Sequence, residues 1–122
     1  MNAKRYQESL QQFAVYPKAF ALEYLVCGLA SEAGKAAGKL KKLIRGDYYE
    51  VSDPVDGQEA GKRIALDSFE KDLHAELGDV MWYVARICSE TGTTLDKIMA
   101  DNIKKLKSRL ERNTIKGSGD AR

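Results

Sequence analysis

One stretch of this chain leaves few choices for its fold: Leu73 to Arg86, reading Leu-His-Ala-Glu-Leu-Gly-Asp-Val-Met-Trp-Tyr-Val-Ala-Arg. Apolar residues recur at Leu73, Leu77, Val80, Met81, Val84, Ile87 and Cys88, the three-and-four spacing of an amphipathic helix. On a wheel turning roughly 100° per residue, Glu76 falls at the edge of the apolar arc. Asp79 lies one turn on and just outside the arc, with Tyr83 between them. The two carboxylates therefore project from one side of the helix, beside the core. A half-buried acidic pair is unfavourable unless something positive meets it. A divalent cation held by oxygen ligands is the usual answer; a solvated helix face, where such pairs are common, is the plain alternative.

With 122 residues, 43% hydrophobic and 31% charged, and only two prolines, the chain reads as one mostly helical domain with a single core. A net charge of +2 does not by itself imply nucleic acid. No apolar run reaches the length of a membrane span, and no apolar stretch follows Met-Asn-Ala-Lys-Arg-Tyr as in a signal peptide. Cys27 and Cys88 lie in helical apolar patterns without metal-ligand spacing, and read as reduced core thiols of a cytoplasmic protein.

Along the chain, Tyr6, Leu10, Phe13 and Ala14 predict a short helix over 4–15, broken at Tyr16-Pro17. A second helix is predicted over 19–44, small in its middle (Gly28, Ala30, Ser31, Ala33, Gly34, Ala36, Ala37, Gly38) and basic at its end. Glycine inside a helix costs roughly 0.5–1 kcal/mol relative to alanine, so close approach of another helix, from this chain or another subunit, is expected there. Gly46 is the predicted stop. Residues 46–63 read as a long polar loop, with turn signals at Asp53-Pro54 and Asp56-Gly57, in which Tyr48 and Tyr49 either cover a ligand or pack the loop down. Asp67-Ser-Phe-Glu70 fits a capping box for a third helix running to about Glu90, with Gly92 as its stop. Thr93 or Thr94 caps a fourth, from Leu95 to about Arg112, whose inner side carries Leu95, Ile98, Met99, Asn102, Ile103, Leu106 and Leu110. Residues 113–122 read as a flexible tail.

The segment Leu29-Ala-Ser-Glu32-Ala-Gly-Lys35 echoes Leu73-His-Ala-Glu76-Leu-Gly-Asp79. If helices two and three pack antiparallel, Glu32, Glu76 and Asp79 converge, and three carboxylates make a hard-cation site. A chance echo between two amphipathic helices is the alternative.

Glu76-Leu-Gly-Asp79-Val-Met-Trp-Tyr-Val, following Gly28-Leu-Ala-Ser-Glu32-Ala-Gly, resembles the MazG family of all-α nucleoside triphosphate pyrophosphohydrolases. Tyr6-Gln7, Tyr16-Pro17, Lys39-Leu-Lys-Lys-Leu-Ile-Arg45, Asn102-Ile-Lys-Lys105-Leu-Lys-Ser-Arg109 and Gly117-Ser-Gly-Asp-Ala-Arg122 extend the similarity over nearly the whole chain. The resemblance implies an all-α, four-helix-bundle-like core that assembles as a homo-oligomer, a dimer or a dimer of dimers. It implies Mg2+-dependent hydrolysis of a nucleoside triphosphate to the monophosphate and pyrophosphate. No membrane or nucleic-acid partner is expected from the residues themselves, since the lysines of helices two and four are interrupted by acids and no readout motif accompanies them. Glu32, Glu76 and Asp79 match the metal-binding, catalytic acids. Asn102 and Lys105 match nucleotide- and phosphate-contacting positions of the fourth helix.

The chain departs from the family pattern at Lys35, where a second glutamate is expected, and at Ser31, where a glutamate often precedes the first acid. Lys35 then either binds phosphate as a point charge or pairs with Asp79 or Glu76 and closes the metal site. On the active reading, Glu32 is the candidate for taking the attacking water's proton. Lys35, Lys39, Lys105 and Arg109 meet phosphates; Asn102 and Tyr83 meet base or sugar, while Trp82 suits a core or interface. The rival reading is a non-catalytic nucleotide-binding homologue in which Lys35 replaces the metal.

Overall fold

The computed structural model describes residues 1–51 and 61–119. The fold is all-α: α1 (Ala3–Ser9), α2 (Ala21–Arg45), α3 (Leu66–Glu90) and α4 (Leu95–Glu111), with one short antiparallel ladder of β1 (Tyr49–Val51) and β2 (Lys62–Ile64). The chain forms two compact units, Pro17–Val84 and Met1–Tyr16 with Ala85–Arg122.

In the first unit, Pro17 is extended and a 3-10 turn over Lys18–Phe20 leads into α2. Leu25 is completely buried. Gly46 ends α2 at φ 95°, and the Asp47 N–H reaches back to the Lys42 carbonyl at 3.0 Å, the left-handed cap that glycine adopts without a Cβ penalty. Gly28 faces Tyr83, Glu32 faces Asp79, and Lys39 faces Glu76 and Asp72, so α2 and this part of α3 run antiparallel.

Part of the segment read as loop is strand. Tyr49 pairs with Ile64, Glu50 with Arg63 and Val51 with Lys62, and the Ala65 N–H continues the ladder to the Tyr48 carbonyl at 2.7 Å. Aromatic and β-branched residues flank the turn signals, and their backbone groups satisfy one another. Asp53-Pro54, Asp56-Gly57 and the end of the tail lie outside the described residues. α3 starts one residue before the proposed cap: the Phe69 N–H bonds to the Ala65 carbonyl. Asp67 therefore sits in the first turn, its charge facing the positive helix end.

In the second unit, α1 spans only Ala3–Ser9 and continues as a 3-10 turn to Phe13, shorter than the helix expected over 4–15. The Gln7 amide pins it to the α3–α4 turn, donating to Ser89 and Thr93 and accepting the Leu95 N–H at 2.7 Å. Thr94, capping α4, accepts the Lys97 N–H, and Gly92 takes φ 68°. Arg86, 2% exposed, is held by the Tyr16 hydroxyl (2.8 and 3.0 Å), Gln11 (3.0 Å) and Glu90 (2.9 Å), and Tyr16 donates to Glu90.

Three packing expectations are corrected. On α4 only Leu95 and Arg109 are buried, while Ile98, Met99, Ile103, Leu106 and Leu110 remain exposed, because α1 is short and meets α4 at its beginning. Cys88 is buried, as expected, but Cys27 is exposed. A Cβ added at Gly34, Gly38 or Gly78 would meet nothing within 4 Å among the described residues, so close approach within the chain explains only Gly28.

Candidate active site

The site is built in the Pro17–Val84 unit. Glu32 comes from α2, and Glu76 and Asp79 from adjacent turns of α3; one carboxylate oxygen of each lies within 4.8 Å of the others. Glu32 is buried, Glu76 half-buried and Asp79 exposed, so the cluster opens outward from Glu32.

Two ammonium groups meet these acids, both from α2. Lys35 donates to Glu32 Oε1 at 3.0 Å and stands 2.9 Å from Oε2. Its partner is thus Glu32, one turn back on its own helix, rather than Asp79 or Glu76. Lys39, its side chain 19% exposed, lies 3.1 Å from Glu76 Oε1 and 3.8 Å from Asp72 Oδ2. Hydrogen bonding to Glu32 and to Glu76 raises the pKa of Lys35 and of Lys39 respectively above its ordinary value.

Asp72 also accepts the Tyr48 hydroxyl at 2.7 Å. This bond holds the Asp72 carboxyl below its ordinary range and pushes the Tyr48 hydroxyl up. Tyr48 rests edge-on against Phe69, ring centroids 5.5 Å apart. Tyr48 therefore packs down onto α3. Asp72 escaped the sequence reading, although its place one turn before Glu76 puts both acids on one face of α3.

The donor set suits a hard cation. Four carboxylates (Glu32, Asp72, Glu76, Asp79) against two ammonium groups leave a formal excess of two negative charges. All three convergent donors are oxygens, as magnesium or calcium requires. Glu32 Oε2 is buried and stands 2.9 Å from the Lys35 ammonium, outside aligned hydrogen-bond geometry. That ammonium pairs its charge, so a divalent ion entering the cluster would compete with Lys35 for it.

Beside Glu32 runs a groove of about 590 Å3, lined by Phe20, Tyr24, Cys27, Gly28, Ser31 and Tyr83. Tyr83 lies so close to α2 that a Cβ on Gly28 would stand 2.0 Å from its ring. Burial first, then Tyr24 and Glu32, raise the Tyr83 pKa, so its hydroxyl stays neutral. Trp82 is half-buried and meets the Tyr83 ring edge-on at 4.8 Å.

The structure thus brings together Glu32, Lys35, Lys39, Glu76 and Asp79, with Tyr83 one turn beyond Asp79. Asn102, Lys105 and Arg109 lie on α4, in the other unit. Asn102 and Lys105 are exposed; Arg109 is 6% exposed and donates to the Gly119 carbonyl at 3.3 Å.

Residues 35–113 match the model of the MazG nucleotide pyrophosphohydrolase domain. The match takes in Glu76 and Asp79 and begins just past Glu32, whose place in the cluster rests on the geometry above. The Gene 37 protein of Mycobacterium phage L5 is 38% identical over 128 residues, covering 100% of both chains. No solved structure gives a significant match.

Proposed function

This chain belongs to the MazG nucleotide pyrophosphohydrolase family, and on that premise we propose that it hydrolyses a nucleoside triphosphate to the monophosphate and pyrophosphate with magnesium as cofactor. The supporting observation is the convergence of Glu32, Glu76 and Asp79, one carboxylate oxygen of each within 4.8 Å of the others. These three acids would hold the ion, which when bound supplies neutralisation of the triphosphate and polarisation of its phosphoryl oxygens.

The chain's own groups carry the remaining roles. Glu32 Oε2 is the acceptor for the attacking water's proton. Lys35 and Lys39 exchange their carboxylate partners for phosphate oxygens, as point charges on flexible stems do readily. Tyr83 borders the nucleoside. Asn102 and Lys105 are assigned to nucleotide and phosphate contacts on the family resemblance alone, and Arg109 to phosphate as a basic residue of the same helix.

The same proposal includes a homo-oligomer and a cytoplasmic location. Exposed apolar side chains on α2 (Leu22, Val26), α3 (Leu77, Met81) and α4 (Ile98, Met99, Ile103) support a second copy as their cover. Free Cys27 and Cys88 fit a reducing compartment. One observation favours the rival, a non-catalytic nucleotide binder: the Lys35–Glu32 contact fills part of the acidic site with a resident cation.

The deciding experiment is pyrophosphate release from ribo- and deoxyribonucleoside triphosphates, with and without magnesium, beside a Glu76→Gln control. Magnesium-dependent release lost in the control is the expected result. A folded protein that binds triphosphate and releases nothing across the panel is the non-catalytic homologue.

A further inference from the structure

Lys39 has two acidic neighbours on α3, one turn apart: Glu76 at 3.1 Å and Asp72 at 3.8 Å. Only Glu76 belongs to the convergent trio. Asp72 is also engaged from its other side, accepting the Tyr48 hydroxyl at 2.7 Å, and Tyr48 joins the ladder through its carbonyl. A line of contacts therefore runs from the ladder through Tyr48, Asp72 and Lys39 to Glu76.

We infer that Asp72 is a positioning residue for the metal site: it is the second seat of the Lys39 ammonium, and by receiving Lys39 it frees Glu76 to bind a cation. The inference rests on the metal-binding reading above and assigns Asp72 and Tyr48 roles that reading lacks. A cation entering between Glu32, Glu76 and Asp79 competes with Lys39 for Glu76. Lys39 need shift only slightly to reach Asp72, so its charge stays paired and the cost of displacing it is small. Tyr48 competes with this move, because its hydroxyl takes one acceptor site of the Asp72 oxygen nearest Lys39 and draws on the same negative charge.

Two signs follow. Removing the Asp72 charge leaves Lys39 with Glu76 alone and weakens cation binding. Removing the Tyr48 hydroxyl frees Asp72 for Lys39 and strengthens it. A carboxylate acting only through its own field would also weaken cation binding when neutralised, but it would do so whether or not Lys39 is present. A double-mutant cycle separates the two.

The test is calorimetric titration of the full chain with Mn2+, without nucleotide, for wild type, Asp72→Asn, Lys39→Gln, the double variant and Tyr48→Phe. Melting curves check folding, and Tyr48→Phe keeps the ring on Phe69. Asp72→Asn is expected to weaken Mn2+ binding roughly fivefold, the scale of a coupled charge pair, and to change it less than about twofold in the Lys39→Gln background. Tyr48→Phe tightens binding. An equal loss from Asp72→Asn in both backgrounds, or weaker binding in Tyr48→Phe, overturns the positioning role while leaving the metal site standing. Wild type that binds no Mn2+ overturns the metal reading, and this inference with it.

Discussion

Lys35 Nζ sits between the two oxygens of Glu32, 3.0 Å from Oε1 and 2.9 Å from Oε2, one turn away on the same helix. The most buried acid of the cluster thus carries a cation supplied by its own neighbour, at the position where the family pattern has a further acid. An ammonium there competes with a divalent ion for Glu32 and attracts a phosphate once that ion has displaced it.

Lys35→Ala accordingly binds Mn2+ more tightly than wild type and raises KM for the triphosphate. Lys35→Glu, with a fourth acid at the cluster, binds Mn2+ more tightly still. Titration with Mn2+ and steady-state kinetics read the two effects separately. Unchanged Mn2+ affinity in Lys35→Ala would show that the ion pair does not compete with the metal.

Gly28 exists to admit Tyr83. A Cβ there would stand 2.0 Å from the Tyr83 ring, and Trp82 meets that ring at 4.8 Å. Alanine favours a helix by roughly 0.5–1 kcal/mol over glycine, yet overpacking costs about 1–3 kcal/mol. Gly28→Ala should therefore lose about 1–2 kcal/mol in urea unfolding, and Tyr83 should move. A net gain in stability would mean that the ring gives way freely.

The open glycines behave differently. Nothing in the described chain opposes a Cβ at Gly34 or Gly78, so alanine at either leaves the melting of the dissociated chain no lower than wild type. If a second copy covers this face, the same substitutions weaken self-association. Sedimentation over a range of concentrations reads that shift; a wild type monomeric throughout removes the oligomer.

Arg86 holds the second unit from within. Its guanidinium reaches Tyr16, Gln11 and Glu90 and is 2% exposed. Arg86→Met strands those partners, at a cost of about 2–4 kcal/mol, and Tm drops by about 10 °C. A drop of less than about 3 °C would show that water replaces the guanidinium.

The Tyr48–Asp72 bond has a defined pH window. Asp72 is held below its ordinary 3.8, so its share of the stability is present above that value and lost as pH falls through the depressed folded value. Tyr48 is held above its ordinary 10.0, so its share is present below that value and lost as pH rises through the raised folded value. The Tm difference between wild type and Tyr48→Phe is therefore level between these limits and shrinks beyond either. A difference that instead varies through neutral pH would point to another group.

Much of this protein was legible in local pattern. The three-and-four spacing of Leu73 to Cys88, the Gly46 and Gly92 stops and the Thr94 cap are helix physics confined to a few neighbouring residues, and the elements follow them. The matched Leu-x-x-Glu-x-Gly segments placed Glu32 and Glu76 where antiparallel helices bring them together with Asp79. The apolar face of α4 read equally well as a pattern, but a pattern cannot say what covers it. α1 is too short, and Ile98, Met99 and Ile103 stay exposed.

Lys35, expected to bind phosphate or to pair with Asp79 or Glu76, pairs instead with Glu32 one turn back on its own helix. Pairings between helices were decided only by tertiary structure. Asp72 carried no motif; it mattered once folding set Lys39 on one side of it and Tyr48 on the other. Periodicity and capping act over three or four residues and are written in the chain. Which charge meets which depends on how two helices cross, a sum over many weak contacts that no short stretch encodes.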